Sequence, residues 1–407
     1  MKLSNVFKLK LSSLLNAMYF YIPIFTLFLI GHGITLANVV LAQALYSLFA
    51  FLFEVPTGVF ADKIGQKYSV LLGVFLDAFG LFLLILFPSV ITLYLCQSIR
   101  GISSAAISGS YEALMYEFVK EEQGSHKNYK KEYGTFISNG ILGFTVSTFI
   151  TGVIVEIYGD ASHLYIFILT IGALLSNLVL VLSIGNPLVH IKNAIAGRHL
   201  FYEIQESWKL INKSLVIRVL MFTFILTYAG KYFLMETYPL YFKLHDVRPI
   251  FIGTVLSVGS LLNFFVVKYS YLLEKHFRLP FIVFMVSCTV AIGYISLGIF
   301  HSPMLLILSF IITYVVIEAE KPIISDFINA KIPTEIRSTA LSAVNLTREA
   351  ANLSFKFLLA FSLGVLGNRN TYLMFGLYLF VGAIATFILL RTITRNSGAE
   401  HEFAHPK

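Results

Sequence analysis

Charged side chains occur inside long apolar runs of this sequence, where burying an ion is costly and a functional role is the default expectation. Among them are Asp77, Arg100, Glu112, Lys231 and Glu318. An acid in a low-dielectric cavity holds a proton near neutral pH more readily than one in water. Glu112 and Glu318 are therefore the candidates for proton binding. Asp77, Arg100 and Lys231 are candidates for lining a cavity that holds a small molecule.

The C-terminal third carries more polar residues at helical spacing. Glu318 and Lys321 are three apart and share one helix face, whereas Glu320 points to nearly the opposite side. One acid is therefore expected to be paired while the other faces water. A polar stripe follows at Ser338, Ser342, Asn345, Arg348 or Glu349, Asn352 and Lys356. Such a stripe belongs against a wet cavity or another helix. The cavity candidates added by these patterns are Glu320, Lys321, Asn345, Arg348 and Asn352.

Structural roles compete with these assignments. Asp77 is equally suited to a hydrogen bond between two helices. Charged residues near the ends of apolar runs are expected to act at the membrane interface or in a latch, namely Glu54, Glu117, Glu156 and Lys268. Several tyrosines are suited to an amphipathic pocket, namely Tyr19, Tyr21, Tyr228 and Tyr232. With 22 Tyr and 38 Phe in the chain, however, most aromatic residues are expected to serve packing or membrane belts.

The elements that carry these residues are predicted to be membrane helices. Apolar residues make up 57% of the 407 residues and charged residues only 13%, against roughly 25% charged in ordinary globular proteins. Runs of about 20 apolar residues can cross about 30 Å of hydrocarbon as helices. The pattern predicts an all-α membrane protein with twelve transmembrane helices in two pseudo-symmetric six-helix bundles. The predicted spans are 12–31, 36–58, 69–88, 91–118, 133–156, 162–184, 214–241, 249–270, 280–300, 303–330, 338–366 and 370–391.

A polar connection divides the twelve spans into halves. The predicted division is an N-terminal bundle at 1–184, a cytoplasmic linker at 185–213, and a C-terminal bundle with a short tail at 214–407. Within the linker, apolar residues recur at helical spacing from Leu200 to Ile211 and include Trp208. This favours an amphipathic helix lying in the cytoplasmic interface. A flexible linker with accidental periodicity is the alternative.

The positive charge of the chain is unevenly distributed. The formal net charge is +8. With twelve spans and a cytoplasmic N-terminus, most Lys and Arg fall on one side, and the other side receives only Lys243, Arg248 and Arg369. This asymmetry follows the positive-inside rule, so it predicts cytoplasmic termini and gives no reason to expect nucleic acid. Cys96 and Cys288 lie in apolar runs, and neither a disulfide nor a metal site is expected. The first apolar run is expected to be a true span rather than a cleaved signal.

A short polar segment from Gly58 to Lys67 interrupts the apolar pattern between two spans. Its glycines are expected to permit close backbone approach and a tight turn. Asp62 would meet the positive end of the next helix, and the lysines would reach a carboxylate on a neighbouring span. Glu117, which ends span four on the same side, is the expected partner of Lys63 or Lys67. After the role that the resemblance given next implies, the latch residues are Gly58, Asp62, Lys63, Gly65, Lys67 and Glu117. The alternative is a solvated turn that merely follows the positive-inside rule.

This segment resembles the cytoplasmic signature of the major facilitator superfamily, in which a glycine, an aspartate with a basic residue, a second glycine and a basic pair come in fixed order. Gln66 departs from the pattern, which usually has arginine or lysine there. A copy without the glycines, from Ser270 to Arg278, aligns Glu274 with Asp62. The resemblance implies the two-bundle fold and a charge cluster that latches the halves in an outward-open state.

A narrower resemblance links three motifs to a bacterial branch of drug and small-molecule exporters in that superfamily. The motifs are Glu54 to Thr57, Ser108 to Glu117, and Asn329 to Ser342. This branch resemblance implies proton antiport. Two departures from antiporter patterns stand against it: Gln97 holds the usual arginine position of span four, with Arg100 shifted, and span five has no Gly-Pro pair.

The resemblance implies a secondary active transporter that exports a small, amphipathic molecule across the bacterial cytoplasmic membrane by alternating access, with protons as the coupling ion. The alternatives are an importer or facilitator of a polar metabolite, or a membrane-embedded enzyme or receptor. The sequence has no Gly-Lys-Ser phosphate loop, metal-spaced histidine cluster or serine nucleophile elbow. No enzymatic activity and no cofactor are therefore expected, and the connections are too short for a signalling domain. A monomer in the lipid bilayer is expected.

Overall fold

The computed structural model describes residues 3–123, 129–186, 215–269, 271–331 and 337–396, and these form helices joined by short turns. The α-helices are α1 (Asn5–Asn16), α2 (Phe25–Gly31), α3 (Leu36–Ile64), α4 (Gln66–Leu86), α5 (Val90–Ile107), α6 (Ser110–Gln123), α7 (Tyr129–Tyr158), α8 (Ser162–Leu182), α9 (Leu215–Leu244), α10 (Ile250–Tyr269), α11 (Tyr271–His276), α12 (Leu279–Ile299), α13 (Pro303–Lys331) and α14 (Arg337–Asn396).

Each of the twelve predicted spans coincides over most of its length with one or two helices. In the described part of the chain, eight helical stretches are long and apolar enough to cross a membrane. One of them, Leu353–Ile393, covers two predicted spans on either side of a kink at Gly367. The three remaining predicted spans coincide with shorter apolar helices, at Ile22–Gly31, Ile250–Val266 and Pro303–Glu318. The expected all-α membrane fold is thereby confirmed.

The first span is interrupted, which the sequence pattern did not predict. Its helix begins at Asn5, because Ser4 caps it through the Phe7 amide, and it ends at Asn16. Residues 17–21 are non-helical, and a short 3₁₀-helix, Ile22–Ile24, leads into α2 at Phe25. Inside a membrane the freed backbone groups need partners. The Thr151 hydroxyl supplies one by donating to the Phe20 carbonyl at 2.6 Å.

The fourth span is interrupted as well, although a continuous helix over 91–118 was predicted. Its first helix, α5, ends at Ile107 and α6 begins at Ser110. Gly109 between them has a φ of +60°, a left-handed conformation that glycine adopts without steric cost. The break redirects the chain just before Glu112.

The latch segment forms a sharp turn between α3 and α4. Gly65 is the C-cap of α3, with φ +119° and ψ +143°, which explains the need for glycine. Gly58 lies inside α3, and a Cβ built there would meet no atom within 4 Å. The close backbone approach expected at Gly58 is therefore absent, whereas the tight turn expected at Gly65 is present.

The chain divides into two compact units. The first comprises Met1–Ala196 with Arg248–Ser257, and the second Gly197–Val247 with Val258–Lys407. The core of the second unit contains fully buried aromatic side chains, including Tyr238, Phe242, Phe310 and Tyr372. The predicted amphipathic linker helix lies within 187–214, outside the described residues, and stays a prediction. The predicted second copy of the signature coincides with the short helix α11, whose Glu274 and Lys275 side chains are also outside the described part.

Candidate functional site

Two ion pairs between described helices, one in each unit, are the centres of two candidate sites, and each is described by itself. A third pair between helices joins Lys10 on α1 to Glu132 in the first turn of α7. In the first unit the guanidinium of Arg100 on α5 contacts the carboxylate of Asp77 on α4. In the second unit the ammonium of Lys231 on α9 contacts the carboxylate of Glu318 on α13. All four residues were predicted from the sequence to be functional candidates.

Small residues hold α4 and α5 together around the first pair. Gly73, Asp77 and Gly80 follow one another at helical spacing and face α5. A Cβ at Gly73 would stand 2.9 Å from the Ser103 carbonyl oxygen, and one at Gly80 would stand 3.2 Å from the Cys96 carbonyl oxygen. The Ser103 hydroxyl also donates to the Gly73 carbonyl at 2.7 Å. Small residues permit this close approach of membrane helices, and the approach puts Asp77 within reach of Arg100.

Both carboxylate oxygens of Asp77 are engaged. Oδ1 accepts from Arg100 Nε at 2.6 Å, and Oδ2 accepts from the Tyr19 hydroxyl at 2.8 Å. Tyr19 lies in the break of the first span, so its side chain reaches α4 from non-helical backbone. Asp77 is thus both the helix-to-helix partner that the sequence allowed and part of a charged cluster.

The guanidinium of Arg100 has further neighbours beyond Asp77. Nη1 donates to Gln97 Oε1 at 3.0 Å. The ring centroids of Tyr19 and Tyr21 lie 5.9 and 5.2 Å from Cζ, within the range of cation–π attraction. We name the donor cluster as Tyr19, Tyr21, Asp77, Gln97 and Arg100. The sequence signal for Gln97 is its position three residues before Arg100, on the same face of one helix.

The second pair is enclosed by tyrosines. Lys231 Nζ donates to Glu318 Oε1. The same ammonium lies 5.6 Å from the ring centroid of Tyr228 and 5.7 Å from that of Tyr314. Tyr314 is hydrogen-bonded to Ser260. The side chains of Lys231 and Glu318 are 21% and 17% exposed, so solvent retains some access to the pair.

A buried lysine extends this second cluster. Lys356 is only 2% exposed, and its Nζ lies 4.1 Å from the ring centroid of Tyr232. The Tyr232 ring in turn lies 5.7 Å from that of Tyr228. Lys356 belongs to the predicted polar stripe, and its burial agrees with a stripe turned away from lipid. Candidates whose side chains lie outside the described part of the chain are Glu320, Lys321, Asn345, Arg348 and Asn352.

Glu112 does not join either pair. It lies on the exposed first turn of α6 and accepts a hydrogen bond from the Tyr129 hydroxyl at 3.3 Å. Burial of Tyr129, together with the nearby Glu112 carboxylate, raises the pKa of this tyrosine. The phenol therefore stays a neutral donor at physiological pH. Glu112 thus follows the break at Gly109 on an exposed helix turn, and its predicted role in proton binding stays a prediction.

The latch residues contact other partners than expected. Lys67 Nζ donates to the carbonyl oxygens of Leu182 at 3.0 Å and Ile184 at 2.6 Å, at the carboxyl end of α8. Asp62 accepts a long contact of 3.4 Å from the Gln66 side chain. Glu117 is exposed, and among the described residues no ion pair joins it to Lys63 or Lys67. The expected lysine–Glu117 contact is thus not formed.

Glu156, predicted to lie near the end of a span, forms an ion pair within the first unit. Its Oε1 accepts from Arg248 Nη2 at 2.5 Å, and its Oε2 accepts from the Ile250 amide at 3.0 Å. The carboxylate therefore caps the first turn of α10. Glu54 near the end of α3 accepts from the Ser108 hydroxyl at 3.2 Å.

Comparison with known proteins identifies sequence relatives. The profile described as Major Facilitator Superfamily matches residues 11–355. Over 110 residues the chain is 32% identical to "Uncharacterized MFS-type transporter YxaM" of Bacillus subtilis (strain 168). The aligned segment covers 26% of this chain and 27% of that protein. Over 126 residues it is 26% identical to "Uncharacterized transporter" of Buchnera aphidicola subsp. Schizaphis graminum (strain Sg), covering 31% and 30%. The matched segments thus span less than a third of these relatives.

Several solved structures share the fold over nearly the whole chain. The nucleoside transporter NupG superposes with a TM-score of 0.78 at 14% identity, covering 95% of this chain and 99% of that one. A D-xylose-proton symporter gives 0.70 at 16% identity, covering 94% and 97%. A POT family transporter in complex with 5-aminolevulinic acid gives 0.69 at 15% identity, covering 96% and 95%. Identities this low establish the fold alone.

Proposed function

The chain belongs to the major facilitator superfamily, and we propose that this multi-pass membrane transporter exports a small, amphipathic molecule by alternating access in exchange for protons. It is not an enzyme. The proposal extends to a bacterial cytoplasmic membrane location, cytoplasmic termini and a monomeric state. Within it, 1–184 and 214–407 are the two bundles, joined by the linker at 185–213.

The ion pair between Lys231 and Glu318 carries the proposal. Its two charges attract each other in partly dehydrated surroundings, where such an attraction is stronger than in water. A proton on Glu318 cancels that attraction and leaves the ammonium without its counter-ion. Because a conformational equilibrium shifts only when two states bind a ligand unequally, the proton must bind one arrangement of the transporter better than the other. An arrangement that separates Lys231 from Glu318 is the one that protonation favours.

Glu318 is a better proton site than Glu112. Glu112 is exposed and its described contacts are the hydroxyls of Tyr129 and Tyr133, so a proton there changes no ion pair among the described residues. At Glu318 a proton removes one side of a charge pair. We therefore narrow the two sequence candidates to Glu318.

The character of the transported molecule is inferred from the surroundings of the cations. Tyr228 and Tyr314 flank Lys231, and Tyr19 and Tyr21 flank Arg100. Aromatic rings beside cations suit a molecule that has both an apolar body and a polar group. The outward direction rests on the exporter-like motifs around Glu54 and Ser108. Uptake of a polar metabolite is the second candidate, because both clusters are charged.

Everted membrane vesicles with an acidic interior test function and direction. We expect them to accumulate one or more of ethidium, rhodamine 123 and fluorescein while protons leave. Vesicles that accumulate none of the dyes, or that release a preloaded compound together with protons, would contradict proton-driven export. Glu318→Gln should abolish accumulation but retain dye exchange without a gradient, whereas the matched control Glu112→Gln should accumulate dye like the wild type. Normal accumulation by Glu318→Gln would exclude Glu318 as the coupling site.

We also propose that Lys67 serves the latch through the end of α8. Its ammonium satisfies two carbonyl oxygens that the helix leaves without intrahelical partners. The turn at Gly65 is thereby tied to the residues that directly precede the linker. Lys67→Met should slow dye transport without weakening dye binding, and weaker binding instead would place Lys67 in the substrate site.

A further inference from the structure

We propose that Gln97 and Arg100 bind an acceptor oxygen group of the transported molecule, such as a carboxylate or an amide carbonyl. This inference rests on the proposed transport function and deepens it. The observation behind it is an imbalance in the donor cluster: it holds more N–H donors than acceptors. Gln97 is fully buried, and its Nε2 has no hydrogen-bond partner among the described residues.

The donors can be counted from the contacts. Arg100 carries five N–H donors and uses one on Asp77 Oδ1 and one on Gln97 Oε1. Both N–H groups of Gln97 Nε2 are uncommitted. Asp77 cannot serve them, because Tyr19 already donates to its second oxygen. A buried donor without an acceptor costs free energy comparable to a lost hydrogen bond. The cluster is therefore short of acceptors.

The orientation of the Gln97 amide follows from the same contacts. The amide oxygen and nitrogen are distinguished only by their partners. Arg100 Nη1 can only donate, so the atom of Gln97 that faces it at 3.0 Å must be the oxygen. A flipped amide would place two donors against each other. The nitrogen is thus committed to the opposite direction, where the described residues provide no acceptor.

Access and shape narrow the ligand further. The Arg100 side chain is 11% exposed whereas Gln97 is fully buried, so a ligand reaches the cluster from the Arg100 side. The rings of Tyr19 and Tyr21 meet edge to face, with centroids 6.0 Å apart, and both lie within 6 Å of the guanidinium. Tyr21 is 2% exposed and packs against Phe25 and Phe167, so it is the half-buried ring of Tyr19 beside which a flat apolar body can lie while its oxygen group meets the donors. The ligand class is therefore a planar molecule with an acceptor oxygen group.

Binding by the purified full-length protein, without any gradient, tests this inference apart from transport. The probes are 2-naphthoate, 2-naphthamide and 2-ethylnaphthalene, which share one ring system and differ in the acceptor group. We expect the wild type to bind the acid or the amide about tenfold more tightly than the hydrocarbon, the size expected for one additional hydrogen bond. Comparing the acid with the amide tells whether the oxygen group must be charged.

Gln97→Met keeps the length of the side chain and removes its donors, so it should lower the preference, while the remaining N–H donors of Arg100 keep part of it. The matched control is Ser287→Ala, which removes another buried and unpartnered polar atom, in the second unit. The control should keep the tenfold preference. Equal binding of all three probes by the wild type, no binding of any of them, or an unchanged preference in a folded Gln97→Met would overturn the inference. Failure of the transport proposal appears separately, as absent gradient-driven flux.

Discussion

Removing one partner of the Asp77–Arg100 pair should destabilise the protein far more than removing both. The two side chains are only 4% and 11% exposed. In Asp77→Leu the guanidinium keeps Gln97 Oε1 but loses its counter-ion, and in Arg100→Met the carboxylate keeps only Tyr19. An uncompensated buried charge costs about 3 kcal/mol by measurements on soluble proteins and by membrane-insertion scales alike. We expect each single variant to lose about that amount.

The double variant Asp77→Leu/Arg100→Met should lie within about 1 kcal/mol of the wild type, because apolar side chains of similar volume replace a buried ion pair at little cost. Equilibrium unfolding of the four proteins in mixed micelles gives the double-mutant cycle, and its coupling free energy isolates the pair.

A structural contribution from Tyr19 must be separated from the charge effect. Tyr19→Phe removes only the 2.8 Å hydrogen bond to Asp77, so it should cost less than either charge variant. If the double variant were as unstable as the sum of the singles, the two charges would not be coupled, and the reasoning from the 2.6 Å contact would be refuted.

Three further predictions concern the turns and helix ends. Gly65→Ala should lower the free energy of unfolding by about 1 to 2 kcal/mol, because a φ of +119° strains any side chain. Gly58→Ala should raise it by up to about 1 kcal/mol, because alanine favours the helix and has open space there. Unfolding midpoints that shift in the same direction in both variants would contradict this. Lys67→Met should lower the free energy of unfolding by up to about 1 kcal/mol, and Lys63→Met should leave it almost unchanged in the same assay. Equal losses in the two variants would argue against a stabilising contact of Lys67 with the carboxyl end of α8. Thr151→Val should lower the free energy of unfolding by about 1 to 3 kcal/mol and speed amide hydrogen exchange near Phe20. Unchanged exchange would show that the Phe20 carbonyl has another hydrogen-bond partner.

Hydropathy predicted where helices lie because lipid thickness sets the length of apolar runs. It could not predict where a helix stops inside a run. Hydropathy alone would allow a continuous helix through the segment around Tyr19 and through the Ser108–Gly109 junction. The breaks are seen only in the backbone conformation. The start of α1 at Asn5 was missed for a related reason, since a polar first turn stabilised by a Ser4 cap lies outside the apolar run.

The members of the two ion pairs could be named from the sequence because buried charges are rare in membrane helices. Their pairing could not, because helical spacing relates residues only within one helix. Asp77 and Arg100 are 23 residues apart, and Lys231 and Glu318 are 87 apart. Spacing suggested Lys321 as the neighbour of Glu318, whereas the described contact comes from another helix. The exposed position of Glu112 could not be predicted either, because it depends on the break at Gly109.

The contact between Asp77 and Arg100 depends on Gly73 and Gly80, because residues without a side chain let α4 and α5 approach this closely. A methyl group at Gly73 would collide with Ile107 Cγ1 at 2.5 Å as well as with the Ser103 carbonyl. Random mutagenesis selected for loss of transport should therefore recover substitutions of Gly73 as often as substitutions of Asp77. Trimming Ile107 should rescue such substitutions only in part, because the Ser103 carbonyl stays in place, and restoring a charge should not rescue them at all.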